Sequence, residues 1–221
     1  MAARQRGRSR GIGRNRYGSR PTQIRAPLPV VIVVCDDART AVSYFNQLKR
    51  VVKEKLTLTV IRNPHDRASA AEVVKEAIKR SSALQKDKSH DEADEDSAWA
   101  LIDLEGTPDR RRAALKAKRD AKAGGIRVAL SNPCYEVWTL LHLVDTGACF
   151  VNCQGVLDRI GHEWARRFRQ PFGAKAQADY SKIIGDRHQA AARAKKHREA
   201  NDPSWTEVYL LLEDIESRSG C

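Results

Sequence analysis

Hydrophobic and polar residues alternate along the chain in blocks of two distinct periods. Val30 to Cys35 (VVIVVC) is a continuous β-branched run, the pattern of a strand buried on both faces of a parallel sheet. Asp36 and Asp37 follow at its end, Thr40 is placed to cap the next helix, and Ala41, Phe45, Leu48 and Val52 recur at helical spacing. Residues 56–61 (LTLTVI) alternate as a second strand. Residues 69–84 carry Ala70, Val73, Val74, Ala77 and Ile78 on one side of a second helix. The polar stretch 85–96 (QKDKSHDEADED) predicts an exposed loop in preference to an acidic metal trap.

A third strand, residues 98–103 (AWALID), ends in Asp103, with Glu105 two positions on. Pro108 suits the first turn of a basic helix that runs to about Ala123 and stops at Gly124 and Gly125. Residues 126–130 (IRVAL) form a fourth strand. The segment SNPCYEVWTLLHLV then predicts an amphipathic helix with Asn132 as N-cap and Pro133 in its first position. Four alternations of strand and helix imply βαβ units, a parallel sheet and helices on both faces. After Gly147 the pattern is mostly helical, with a basic stretch around Arg187–Arg198 and a last helix from about Ser204 to Ser217.

Composition changes this picture at one end of the chain. Of 221 residues, 41% are hydrophobic, enough for a buried core. The net charge is +12, and residues 1–25 hold eight arginines and no acid, so two thirds of the excess lies there. Residues 1–27 are expected to be a disordered arginine-rich tail with affinity for nucleic acid or another anionic surface, unless the tail only aids solubility. Residues 28–146 are expected to form the α/β core, and 147–221 a helical extension packed on it. No apolar run is long enough for a membrane span, and no signal peptide is evident, so a cytoplasmic protein is expected. The five cysteines show no disulfide framework. Cys35 and Cys134 read as small core residues, and Cys149, Cys153 and His142 lack the fourth ligand of a zinc site.

Ligands of open α/β sheets bind beyond the C-terminal strand ends. Asp36 ends the first strand, Asp103 the third, and Glu105 follows, so the three carboxylates converge if those strands are neighbours. Clustered carboxylates call for a cation, and Mg²⁺ or Mn²⁺ suits hard oxygen ligands and phosphate chemistry. Read singly, each acid is more at home as a turn residue or helix cap than as a ligand. Glu136 is a candidate second ligand or a residue that favours its helix N-terminus. Ser131 and Asn132 could offer donors to a phosphate, or simply cap the helix. His142, one turn after Trp138, reads first as a core histidine. Arg110, Arg112, Lys116 and Arg119 form a cationic strip on the helix after the acidic pair, suited to a nucleic-acid backbone or to plain solvation.

Four ordered blocks carry a resemblance: VIVVCDDARTAVSYF, ALSNPCYEVWTLLHL, the DYSK at residues 179–182, and NDPSWTEVYLLLEDI. Together they resemble the RloB-like family over about residues 30–216. That resemblance implies a Toprim-like, Rossmann-like fold with a metal-dependent catalytic centre, antiviral defence in bacteria, and often a partner ATPase; self-association is left open. The implied activity is cleavage of DNA or RNA, including tRNA. Lys182, in the DYSK block, becomes a candidate for stabilising charge at the reacting phosphate, against the plain reading of a solvated lysine. The Toprim pattern has a Glu after the first strand and an Asp-x-Asp after a later one. Asp36 stands at the first position, and Asp103 with Glu105 at the second, so charge is kept while reach changes by one methylene at Asp36 and at Glu105. Ala41 stands where the family's first block carries a second Glu. These departures motivate an alternative, a catalytically inactive nucleic-acid-binding or sensor subunit. A small-molecule phosphotransferase is disfavoured because no Gly-rich phosphate loop follows a strand.

Overall fold

The computed structural model describes residues 27–36, 39–63, 68–86, 95–173 and 178–220. The tail over residues 1–26 and most of the acidic stretch lie outside them. Five strands form one sheet in the order β2-β1-β3-β4-β5, with β1 (Val30–Cys35), β2 (Thr57–Arg62), β3 (Ser97–Asp103) and β4 (Arg127–Asn132) parallel. The fifth, β5 (Trp205–Thr206), is antiparallel to β4. The fold is thus α/β with a mainly parallel sheet flanked by helices.

The unbroken apolar strands are explained by two cores, one on each face. Val31, Val33 and Cys35 of β1 enter the larger core, while Ile32 and Val34 point into the other. The period-two alternation of a strand makes this division, and β3 repeats it with Trp99 and Leu101 on one side and Ala98, Ala100 and Ile102 on the other. Helix α1 (Thr40–Val52) covers the first face with Tyr44, Phe45 and Leu48. Helices α2 (Ala70–Gln85) and α3 (Pro108–Ala123) cover the second. α3 buries only small residues, Ala114, Ala117 and Ala121, which lets a helix that is otherwise charged lie close to the sheet. Four further helices, α4 (Glu136–Leu143), α5 (Cys153–Phe168), α6 (Arg187–Glu199) and α7 (Val208–Ser219), contribute side chains to the first face. No helix among the described residues is long and apolar enough to cross a membrane.

Three local expectations are corrected. Thr40 is the first residue of α1, not its cap, and its buried hydroxyl turns to Glu136. Asn132 ends β4 paired with Trp205, and α4 begins only at Glu136, so Asn132 is not an N-cap and Pro133 is not a first helical residue. The fifth strand is the cause: it extends the ladder by two residues that the pattern assigned to the helix. Cys134 is not a lone core thiol but is disulfide-bonded to Cys153.

Candidate functional site

Because β1 and β3 are adjacent and parallel, their C-terminal ends lie side by side. The Asp36 amide donates to the Leu101 carbonyl at 3.1 Å, which fixes Asp36 beside the last residues of β3. Asp36 and Asp103 then line one small cleft of about 70 Å³, together with Ser69, Ile102 and Arg110. Ser69 arrives there because it starts α2 with a capping box. Its hydroxyl accepts from the Glu72 amide, and Glu72 accepts from the Ser69 amide at 2.6 Å. Arg110 arrives because Gly106, at φ +112°, turns the chain sharply after β3 into the Thr107 cap of α3. A Cβ at Gly106 would stand 3.2 Å from Arg110 Cδ.

The carboxylates of the rim are held from the starts of two helices. Asp103 Oδ1 accepts from the Tyr135 amide at 2.8 Å, immediately before α4. Glu105 Oε1 accepts from the Cys153 amide at 2.7 Å, the first residue of α5. The Cys134–Cys153 disulfide, with its Cα atoms 5.6 Å apart, ties those two helix starts together. Glu105 is exposed and lies outside the lining of the Asp36–Asp103 cleft. Glu136 is 1% exposed; its Oε1 accepts from the Thr40 hydroxyl at 2.9 Å, and its Oε2 lies 3.0 Å from Cys153 Sγ.

These donors separate by chemistry. Asp36 and Asp103 offer hard oxygens at one cleft and fit a Mg²⁺ or Mn²⁺ ion. Among the described residues, the group whose ligand atoms lie within 4.8 Å of one another is instead Cys134, Glu136 and Cys153. Two of its three members are the disulfide-bonded sulfurs, which have no thiolate to offer a metal.

The other candidates take diverse places. His142 is fully buried. The Trp138 carbonyl, 2.9 Å from Nδ1, can only accept, so Nδ1 carries the proton and Nε2 accepts from the Tyr44 hydroxyl at 3.1 Å. Burial pushes the His142 pKa down to about 4, against the hydrogen bond to Trp138 and the Asp186 charge; Arg193 and Arg167 lower it further. His142 is therefore a neutral core histidine. Ser131 is buried and shares a 2.8 Å hydrogen bond with Thr206. Lys182 is exposed, its ammonium 5.7 Å from the centre of the Phe168 ring, outside the cleft lining. The cationic strip divides. Arg110 lines the acidic cleft, Arg112 pairs with Asp109, Lys116 bonds Asp120 at 2.5 Å, and Arg119 faces a different cleft nearer the sheet edge. Cys149 is exposed and Cys153 is in the disulfide, so with His142 they form no zinc site.

Ser69 and Thr40 escaped notice as parts of the rim. For Ser69 a signal existed, since Ser-x-x-Glu before an apolar run marks a helix start and, in a parallel sheet, a helix start after a strand lies at the ligand-binding rim. For Thr40 the same signal existed in its place at the helix start after the first strand, but not its partner Glu136, 96 residues away.

Comparison with solved structures finds a de novo designed Rossmann fold protein at 16% identity and a TM-score of 0.32, covering 47% of this chain and 84% of the other. No curated protein matches. The model of the RloB-like protein family matches residues 31–215, and the chain belongs to that family.

Proposed function

We propose that this chain is a Toprim-type, metal-dependent nuclease that cleaves DNA or RNA in bacterial antiviral defence, working beside a partner ATPase. The observation that carries the reading is the shared cleft of Asp36 and Asp103, at the ends of adjacent parallel strands, with Arg110 on its wall. A bound Mg²⁺ or Mn²⁺ would supply Lewis-acid activation of water and of the scissile phosphate. Asp36 and Asp103 hold the cation, and the Tyr135 amide orients the Asp103 carboxylate. Arg110 meets the phosphate from the side of α3. Arg112, Lys116 and Arg119 continue the contact along the backbone. Glu105, Glu136 and Lys182 stand outside that cleft lining. Glu105 reaches the cation only by leaving the Cys153 amide, Glu136 supports the rim through Thr40, and Lys182 meets substrate from its exposed position.

The test is the Asp103→Ala variant of the full chain, assayed on duplex DNA, single-stranded DNA, RNA and tRNA with Mg²⁺ or Mn²⁺. Wild-type cleavage that the variant loses, with an unchanged circular dichroism spectrum, supports the reading. Absence of wild-type cleavage on all four substrates, or equal cleavage by the variant, overturns it. The engagement of Glu105 by the Cys153 amide favours one other reading, a binding or sensor subunit without turnover. Calorimetric Mn²⁺ titration separates the two: the nuclease binds the ion at a site lost in Asp36→Ala, and the sensor does not.

A further inference from the structure

The second half of α3 faces a larger cleft, about 420 Å³, between that helix and the β4–β5 edge of the sheet. That volume lies within the range of small-ligand sites, roughly 300–1,000 Å³. Its walls combine an apolar floor, including Leu130 and Trp205, with four cations: Lys118, Arg119, Lys122 and Arg198. One acid, Glu207, sits at its base and is 5% exposed. Glu207 receives Lys118 Nζ at 2.5 Å and the Leu130 amide at 3.0 Å, and Arg198 Nε stands 3.5 Å from it. The single carboxylate is thus engaged by Lys118 and Arg198, while Arg119 and Lys122 stand exposed on the rim one helical turn apart. The lining keeps an excess of three positive charges beside an apolar floor, which selects an anion with a flat apolar part.

The floor also has the right geometry for an aromatic ligand. The Arg198 guanidinium carbon lies 4.3 Å from the centre of the Trp205 ring, which itself packs on the smaller core. This makes a stacked cation–ring platform at the cleft. Such platforms take nucleobases, which also stack on guanidinium planes. In a duplex the base faces are covered by their neighbours, so only an unpaired base can use it.

We infer that this cleft binds an unpaired nucleotide of a single-stranded nucleic acid, its base against the Arg198–Trp205 platform and its flanking phosphates at Arg119 and Lys122. The inference rests on the nucleic-acid reading above for its purpose and extends it to a substrate class, single-stranded or looped. Arg119 lies nine residues after Arg110 on one helix, about 14 Å along its axis at ~1.5 Å per residue. It is also about half a turn round that axis, so the two clefts open on different sides of α3 and a strand that reaches both must pass over the helix.

The four tryptophans supply a local probe, because Trp99, Trp138 and Trp164 are at most 3% exposed while Trp205 is half-buried. The full chain is titrated in EDTA with a 12-nucleotide oligo(dT) or oligo(U) and with a duplex of equal length, following tryptophan fluorescence and ligand anisotropy. Single strands are expected to quench fluorescence, and Trp205→Phe to abolish the quench. The exposed double variant Arg119→Ala/Lys122→Ala is expected to weaken single-strand binding at least five-fold. It should also reduce the salt slope by about 1.4, two phosphates at ~0.7 each. Duplex binding should ignore Trp205→Phe, and should weaken less than single-strand binding in the double variant. The inference is overturned if single strands bind without quenching, if the double variant binds as wild type does, or if duplex quenches equally. It is also overturned if only a protein partner, and no oligonucleotide, is sensitive to these changes. EDTA removes turnover from the measurement, so binding and cleavage are read separately; a failed nuclease reading with intact quenching, or the reverse, is therefore visible as such.

Discussion

The two ends of the sheet hold their carboxylates in different ways. At the N-terminal end, Asp214 of α7 lies between the first residues of β3 and β4. Its oxygens receive Ser97 at 2.5 Å, Trp99 Nε1 at 2.9 Å, Arg127 at 2.5 Å and Arg218 at 2.9 Å. Burial alone would raise its carboxyl, but the Ser97 and Trp99 hydrogen bonds and the two guanidiniums hold it below the usual carboxylate range. At the C-terminal end, Asp103 and Glu105 are positioned by neutral backbone amides, and Asp36 and Asp103 share an open cleft. A carboxylate surrounded by cations and donors stabilises the fold. Asp103 instead takes a backbone amide on one oxygen and lines a cleft with Arg110 on its wall. The same residue type thus braces the fold at one end of β3 and lines a cleft at the other.

Replacing Asp214 should give the largest effect on folding. Asp214→Ala strands the Trp99 indole N–H, which is buried, and unpairs two arginines, and is expected to cost roughly 3 kcal/mol in urea unfolding. Asp103→Ala should cost only about 1 kcal/mol and, on the nuclease proposal, remove turnover. Equal destabilisation by the two would erase the distinction between the ends. Next comes the disulfide that braces the C-terminal rim. It spans 19 residues, and Cys153→Ser is expected to lose about 3 kcal/mol by loop entropy, read as a lower urea midpoint under oxidising conditions and no change under reducing ones.

Acid should then act in two separate windows. His142 is held neutral at about 4 when folded and returns to its ordinary value near 6.5 when unfolded. The unfolded chain therefore binds more protons between those values, and stability falls as pH falls. From pH 7 to pH 5 the loss is about 2 kcal/mol, and His142→Gln should flatten it. The Asp214 contribution has the opposite cause: its carboxyl is depressed when folded, so its stability is present above about 3.8 and is lost only below that. A stability profile with one step near pH 5–6 and another below pH 4 would fit; a single acid step untouched by His142→Gln would not. The smallest effect belongs to Ser69→Ala, about 1 kcal/mol from loss of the α2 cap, measurable by thermal unfolding.

Much of the framework is legible in the linear pattern. The β-branched run lies at Val30–Cys35 as expected, the strand expected over 56–61 is found at Thr57–Arg62, and the basic helix expected from Pro108 to about Ala123 has those bounds. The short strand Trp205–Thr206 was not legible, since two residues carry no period, and its absence from the pattern displaced the start of α4 by several positions. Asp36 and Asp103 could be marked as rim acids because a residue just after a parallel strand must lie at the sheet's C-terminal end. Glu105 could not be separated from them, because its rotamer is set by an amide 48 residues away. Trp205 and Arg198 sit seven residues apart; the pattern put Trp205 in the last helix, which begins only at Val208, and carries no cue that the two stack.

The sequence by itself determined the four parallel strands and the helices between them, the two-faced burial of the central strands and the membership of the RloB-like family. Those depend on local periodicity and on residue order, both written along the chain. Only the tertiary structure decided that β1 lies beside β3, that Cys134 meets Cys153, and which acids are neutralised by cations. Each of these is a contact between distant residues, where side-chain direction and a few ångströms of packing fix the electrostatics. The charge of Asp214 and the charge of Asp103 are identical in the sequence, and only their surroundings make one a brace and the other a candidate ligand.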